Sequence, residues 1–342
     1  MSKRATMVDI ALQAGVSQAT VSLVLSDVVN ARVSAETRAR VRAIAADLGY
    51  VWRGTAARST GARVIGMIID DVSTTPFASP LIEGARDAAA AQNCVVALFC
   101  TGGDPALEAA ALSVLEAVSP VGVVYARLVM RAVEVPERLL ALPAILLNCH
   151  DPERRLPSVV PGDVLGGFGA VQALIDAGHR RIAHISGEDW GEAARDRARG
   201  YRQALASADI PFDPDLLAGP AWTVGSGREQ TLRLLDLPDP PTAISCFNDR
   251  VAIGCYEALA LRGLRVPRDV SVVGFDNEDL VAYLLPPLST MVLPHDEMAR
   301  WAVTTLLERQ GQPEATLPLQ QIKIDCTLEM RASVAPPDGL FD

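Results

Sequence analysis

Apolar residues recur with a helical period three times within the first fifty positions. Met7, Ile10, Ala11 and Ala14 fall at i, i+3, i+4 and i+7. Val21, Val24, Leu25 and Val28 repeat the spacing, and so do Val41, Ile44, Ala45 and Leu48. Three stripes of one period can close a small shared core. Thr6 with Asp9 resembles a capping box, and Ser17 and Ser34 stand where N-caps are expected. Gly15 and Gly49 follow the first and third patterns, where a left-handed residue ends a helix at little cost. Only Gly15-Val16 separates the first pattern, 6–14, from the second, 17–25, which predicts a tight helix-turn-helix corner. Beyond Arg63 the pattern changes to short apolar runs: Val64–Ile69, Val95–Phe99, Val121–Tyr125, Ala144–Leu147, Ile182–Ile185, Ala243–Phe247 and Val270–Phe275. Alanine-rich helical stretches such as Leu81–Ala91 and Gly166–Ala177 lie between them. That alternation predicts parallel sheets covered on both faces, with too many strands for one sheet and so two α/β units.

The second helix turns short polar residues away from its apolar stripe: Ser17, Gln18, Ala19 and Ser22, with Leu23 beside them. Short side chains let a helix approach bases closely, and Gln18 can donate and accept on a base edge, adenine above all. A plain three-helix bundle with a polar surface is the other reading of the spacing. Charge bears on the choice. Residues 1–63 carry nine Lys and Arg against four Asp and Glu, a net +5, in a chain of net −10, so residues 64–342 carry −15. A basic head on an acidic body suits binding one polyanion without general adhesion to it.

The remaining composition mainly excludes. The six cysteines are scattered without a C-x-x-C, which argues against a metal site or disulfide framework and for a reducing compartment. The four histidines show no metal spacing. No nucleotide-binding G-x-G-x-x-G follows the first body strand and no P-loop is present. Gly166-Gly167-Phe168-Gly169 suits helix packing better. No cofactor and no catalytic residue is expected. The chain opens on a helix pattern without a signal-peptide core, and no apolar run reaches the roughly 18 residues that span a bilayer, so a cytoplasmic protein is expected. Several strands end in polar residues: Asp70, Asn148, Ser186, Asn248-Asp249 and Asp276. Ligands of open α/β sheets bind at that end.

The motifs together resemble the lactose-repressor and galactose-repressor family of bacterial transcription regulators. The head carries V-D-I-A-x-x-A-G-V-S-x-x-T-V-S from Val8 to Ser22 and V-S-x-x-T-R from Val33 to Arg38. The body carries A-G-H-R-R-I-A at Ala177–Ala183, P-T-A-I at Pro241–Ile244, V-P-x-D-V-S-V-V-G-F-D at Val266–Asp276, P-P-L-S-T at Pro286–Thr290 and R-A-S-V-A-P-P at Arg331–Pro337. The resemblance runs almost end to end. It implies a small all-α helix-turn-helix head at 1–49, a hinge linker at 50–63 and a periplasmic-binding-protein-like α/β body at 64–337. The body would hold one subdomain of about 64–158 plus 290–318 and a second of about 159–289 plus 319–337. It also implies a homodimer on a roughly palindromic double-stranded operator, governed by a small, sugar-like effector in the cleft between the subdomains.

Residue by residue, the resemblance places Gln18 and Ala19 against bases and Thr6, Ser17, Thr20, Ser22, Ser34 and Thr37 against phosphates, with Arg32 close to DNA. It places Asn148, Arg195, Trp222, Asn248 and Asp276 on the effector, and more weakly Ser73 and Phe77. Arg195 and Trp222 also admit blander readings, a solvated helix face and ordinary packing. His179 belongs to the family's A-G-H-R-R run and is expected to be structural. Leu23 stands where many members have a guanine-reading arginine, so the operator is expected to differ there. In the linker, Trp52 replaces the usual proline and the wedge leucine is absent, which predicts weaker operator bending or a wedge supplied by Trp52. A solute-binding protein without a DNA role, or an enzyme on an α/β scaffold, are the rival readings.

Overall fold

The computed structural model describes residues 6–25, 33–48, 50, 63–72, 77–309 and 320–337. Arg32, Ser73 and the linker at 51–62 therefore lie outside the described residues, as do Val28, Gly49 and Trp52. The chain divides into two compact units, the second beginning at Arg63.

The head is three helices: α1 (Met7–Ala14), α2 (Gln18–Leu25) and α3 (Ala35–Asp47). Their limits follow from the expected caps. The Thr6 backbone N–H donates to Asp9 Oδ2 at 2.8 Å, and the Asp9 N–H donates back to Thr6 Oγ1 at 3.3 Å. Gly15, at φ 65°, ends α1 in the left-handed region that a residue without Cβ enters freely. Ser17 Oγ accepts from Thr20 N–H and Ser34 Oγ from Thr37 N–H, at 3.1 and 3.2 Å. Ile10, Ala14, Val21, Val24, Val41 and Ala45 form the buried centre, with Met7, Leu25, Ile44 and Leu48 packed at its edge.

The body holds two six-stranded sheets. The first contains β1 (Arg63–Ile69), β2 (Cys94–Cys100), β3 (Gly122–Ala132), β4 (Ala144–His150), β5 (Ser158–Pro161) and β11 (Gln321–Ile324), in the order β11-β5-β4-β3-β1-β2. The second contains β6 (Ile182–Ile185), β7 (Leu217–Ala218), β8 (Ala243–Cys246), β9 (Ser271–Asp276), β10 (Ser289–Val292) and β12 (Thr327–Glu329), in the order β12-β10-β9-β8-β6-β7. All pairings are parallel except β10 with β12. Helices α4 (Ala78–Ala90), α5 (Pro105–Val118) and α11 (His295–Glu308) cover the first sheet, with the short α6 (Glu137–Leu140) between β3 and β4. Helices α7 (Asp163–Asp176), α8 (Glu192–Ser207), α9 (Val224–Leu235) and α10 (Asp249–Leu261) cover the second. No helix among the described residues is long and apolar enough to cross a membrane.

The chain passes between the sheets elsewhere than the sequence suggests. β5 belongs to the first sheet, so the first passage follows Pro161 rather than residue 158. β10 pairs with β9 and lies in the second sheet, and β11 pairs with β5 in the first. Ser289–Val292 and Gln321–Ile324 are four-residue strands with two apolar side chains each, too short and polar to form the run that marks a strand.

The Gly166–Gly169 cluster is helix packing. A Cβ on Gly200 of α8 would lie 2.2 Å from the Val164 carbonyl oxygen of α7, and one on Gly167 would lie 2.5 Å from the Arg197 carbonyl. Neither backbone can yield, so Gly200→Ala is expected to lower unfolding stability by about 2 kcal/mol. Urea denaturation measures it, and an unchanged midpoint would show that the helices are free to part.

Candidate functional site

The head presents a polar face on α2. Gln18 and Ser17 are exposed and Leu23 is 40% exposed, while Thr20 and Ser22 are half-buried. Ala19 lies in the first turn beside Gln18. The hydroxyls expected on phosphates also shape the helices. Ser17 Oγ lies 2.9 Å from Thr20 Oγ1, Ser34 Oγ lies 2.9 Å from Thr37 Oγ1, and Thr6 is held by Asp9. Caps of this kind hold the helix N-termini, with their free N–H groups, in the posture that receives a phosphate.

In the body, buried charge gathers where the C-terminal ends of the two sheets meet. Arg197 on α8 is 4% exposed. Its Nε donates to Asp163 Oδ1 at 2.8 Å, its Nη1 donates to the Phe247 carbonyl at 2.6 Å, and Asp276 Oδ1 lies 3.6 Å away. The guanidinium lies over the Phe275 ring at 3.5 Å and the Phe247 ring at 4.8 Å. Two carboxylates thus share one guanidinium in an aromatic enclosure. Burial pushes Asp163 and Asp276 above the ordinary carboxylate range, Arg197 opposing it. Asp163 Oδ2 is buried with no hydrogen-bond partner among the described residues.

Asn148 faces this group from the first sheet. Its Nδ2 donates to the carbonyls of Arg127 and Leu128, both at 3.0 Å, and its Oδ1 is buried and unpartnered among the described residues. An orphaned buried acceptor costs about 1–3 kcal/mol, so two such acceptors call for a donor from outside. Asn148 and Asp276 also hold left-handed backbone, at φ 54° and 112°. Strain of that kind, about 1–3 kcal/mol per residue, concentrates at ligand sites. The backbone that Asn148 grips is a bulge in β3, where register shifts between Ala126 and Arg131. Asp70, at the end of β1, accepts from Leu128 N–H and from Arg131 Nη2, both at 2.8 Å. Asp70 is thereby a support of the bulge, while Leu128 and Met130 line the cleft.

The other expected effector residues divide. Trp222 and Phe77 line the cleft. Trp222 packs against Phe247 with centroids 5.3 Å apart and the ring planes tilted by 43°. Asn248 also lines it, but both ends of its amide are engaged: Oδ1 caps α10 by accepting from Val251 N–H at 2.8 Å, and Nδ2 donates to the Trp222 carbonyl at 3.2 Å. Its geometry positions Trp222. Arg195 does not reach the cleft. It is exposed, and its Nη1 donates to the carbonyls of Asp189 and Trp190 at 2.8 and 3.3 Å. The arginine in the cleft is Arg197, two residues on and therefore on the opposite side of α8. The pattern that identifies it was available. Ala194, Ala198, Tyr201 and Leu205 make a buried stripe, and Arg197 lies one turn before Tyr201 on that stripe. His179 is structural, its ring bridging Thr242 Oγ1 and the Ala335 carbonyl at 2.9 Å each.

Glu192, at the first turn of α8, bridges the mouth. Its Oε2 lies 2.9 Å from His150 Nε2 of β4, and its Oε1 accepts from Ala132 N–H of β3 at 2.8 Å. The cleft's cavity measures about 50 Å³. A few water-sized groups fit such a space, so a sugar ring enters by parting the subdomains or turning side chains. A larger groove of about 620 Å³ lies along the outer face of α8 beside Arg195, Arg199 and Arg202. Among the described residues it holds no buried unpartnered polar atom, and for that reason the smaller cleft is the better candidate.

His295, at the start of α11, lines the cleft and was not foreseen. Burial, with Arg197 adding to it, lowers its pKa to about 4 from the ordinary 6.5. The unfolded chain then binds a proton that the folded one refuses. Stability is lost as pH falls from about 6.5 to about 4, by about 3 kcal/mol over the whole window. Asp163 and Asp276 have the opposite sign, so the informative quantity is the difference between wild type and His295→Gln. Chemical denaturation at pH 7 and pH 4.5 should show a smaller acid loss in the variant, and equal losses would refute the assignment.

Comparison with known proteins matches both regions. Residues 6–51 match the model of bacterial regulatory proteins of the lacI family, and residues 171–334 match a periplasmic binding protein-like domain. The chain is 34% identical over 334 residues to the HTH-type transcriptional repressor CytR of Escherichia coli (strain K12), covering 96% of each chain. Among solved structures it is similar to the transcriptional regulator CelR–cellobiose complex, at TM-score 0.66 and 28% identity, covering 96% of this chain and 100% of that one. It is also similar to the lac repressor dimer bound to operator and the anti-inducer ONPF, at TM-score 0.66 and 26% identity, covering 97% and 100%.

Proposed function

Since the chain belongs to the lacI family of bacterial regulatory proteins, we propose that it is a transcriptional repressor controlled by a sugar-like effector. The effector binds between the two α/β subdomains and sets the hold on a roughly palindromic double-stranded operator. The observation that carries the reading is the buried group Asp163–Arg197–Asp276 facing the unpartnered Asn148 Oδ1. Acceptors outnumber donors there, as a ligand rich in hydroxyl groups requires, and Trp222 and Phe247 supply a face for its apolar side. The similar regulator with cellobiose supports the choice of ligand, and the similar repressor dimer on operator supports a homodimer reading two half-sites.

In this reading Gln18, Ala19 and Leu23 meet bases. Thr6, Ser17, Thr20, Ser22, Arg32, Ser34 and Thr37 meet phosphates. Asn148, Trp222, Asp276 and Phe77 contact the effector together with Arg197, Asp163 and His295, with Asn248 placing Trp222. The protein acts in the cytoplasm and performs no chemistry on its ligand. A solute-binding role without DNA is disfavoured by the matched head. A thermal-shift screen against sugars and polyols tests the reading, because binding to the folded state alone raises the melting temperature. A stabilising sugar that still stabilises Arg197→Met would remove the cleft from the account.

A further inference from the structure

The aromatic wall of the cleft does not stop at Trp222. Phe247 is 3% exposed, Trp222 packs on it tilted by 43° at 5.3 Å, and Trp190 stacks on Trp222 at 6.5 Å with 26° between the ring planes. Trp190 itself is 62% exposed. It sits on the loop between β6 and α8, and its neighbours Glu188 and Gly191 both line the cavity, which places Trp190 at the rim. Three rings therefore run in succession from the buried floor to the surface.

The loop is held in place. Gly191 N–H donates to the Glu188 carbonyl at 2.9 Å. Arg195, one turn into α8, donates to the Asp189 and Trp190 carbonyls at 2.8 and 3.3 Å. A large indole left exposed on a braced loop, in line with the wall of a binding cleft, offers a stacking surface.

We propose that Trp190 forms an outer subsite for a second ring, so that the effector is a glycoside: one sugar unit in the cleft and a further sugar or a base stacked on Trp190. This rests on the cleft being the effector site. Arg195 is a positioning residue for the subsite and touches no ligand. The second ring is fixed by continuity. A substituent leaving a sugar seated against Trp222 in the direction of the mouth meets Trp190 next, and sugar faces and bases both stack on indole.

The test titrates the full-length chain with matched probes: glucose against cellobiose, and ribose against uridine and adenosine. The expected result is that one two-ring probe binds on the order of ten-fold tighter than its parent sugar. Trp190→Ala should abolish that difference, the two-ring probe losing more affinity than the parent, Trp190→Phe should keep most of it, and Arg195→Ala should reduce it by a smaller factor. A ratio unchanged in Trp190→Ala, or binding of the parent sugars alone, overturns the outer subsite and leaves the cleft intact. No binding by any of the probes, in a chain that melts cooperatively, counts against the cleft reading and the subsite together.

Discussion

Arg197→Met should destabilise the body by about 3–5 kcal/mol and remove effector binding. Among the described residues Arg197 is the one guanidinium between Asp163 and Asp276, and both carboxylates are buried. Methionine matches much of the arginine's length and would pack against Phe275 and Phe247, so the loss comes from the charges it strands. Adding Asp163→Asn and Asp276→Asn should restore a large part of the stability and none of the binding, since the acceptors for the ligand are then altered. Arg195→Ala, an exposed change that cuts two bonds to loop carbonyls, should fall within about 0.5 kcal/mol of wild type. Urea denaturation of the four proteins decides the matter. Equal losses at positions 195 and 197 would mean that the buried charge group holds nothing together.

Operator affinity should fall about a thousand-fold between 50 and 200 mM salt. Each head with its linker, residues 1–63, carries a net +5 and the proposed dimer brings two, whereas residues 64–342 carry −15 and contribute only repulsion. The steepness arises because each neutralised phosphate releases counterions, and six or more contacts across two heads are needed to produce it. Gln18→Ala should behave differently. It removes the proposed base contact, so affinity for the operator should drop by about 1–3 kcal/mol and discrimination at one base pair should relax, while the salt slope stays constant. Fluorescence anisotropy at several salt concentrations separates the two effects. A Gln18→Ala protein with a shallower slope and intact base preference would place Gln18 on the backbone instead.

The head was legible because its signals are local. Thr6, Ser17, Ser34 and Gly15 fix helix limits through bonds to neighbours three or four residues away, and the structure shows those bonds. The strands with continuous apolar runs, such as β1 and β9, were legible for the same reason. β10, β11 and β12 were not, because pairing across the sheet makes them strands while their own residues are few and mixed. His295, which starts the helix after β10, stands in no motif or spacing that marks it as a cleft residue.

The cleft was read in part. Asn148 and Asp276 announced themselves as polar ends of apolar strands. Asn248 did so too, although its side chain turned out to be a helix cap. Arg195, Arg197 and Arg199 alternate along α8, and only the phase of the buried stripe tells which one faces inward. Asp163 gave no sign in the sequence, since a carboxylate at the start of a helix is ordinary there until Arg197 is brought to it from 34 residues away.

The central claim is that one body with two states joins the cleft to the head. The direct measurement is a linked pair of titrations: operator DNA in the absence and presence of saturating effector, and effector in the absence and presence of saturating operator. Linkage requires both affinities to shift by one common factor, expected between 5-fold and 150-fold. Operator affinity that stays constant at saturating effector would contradict the account.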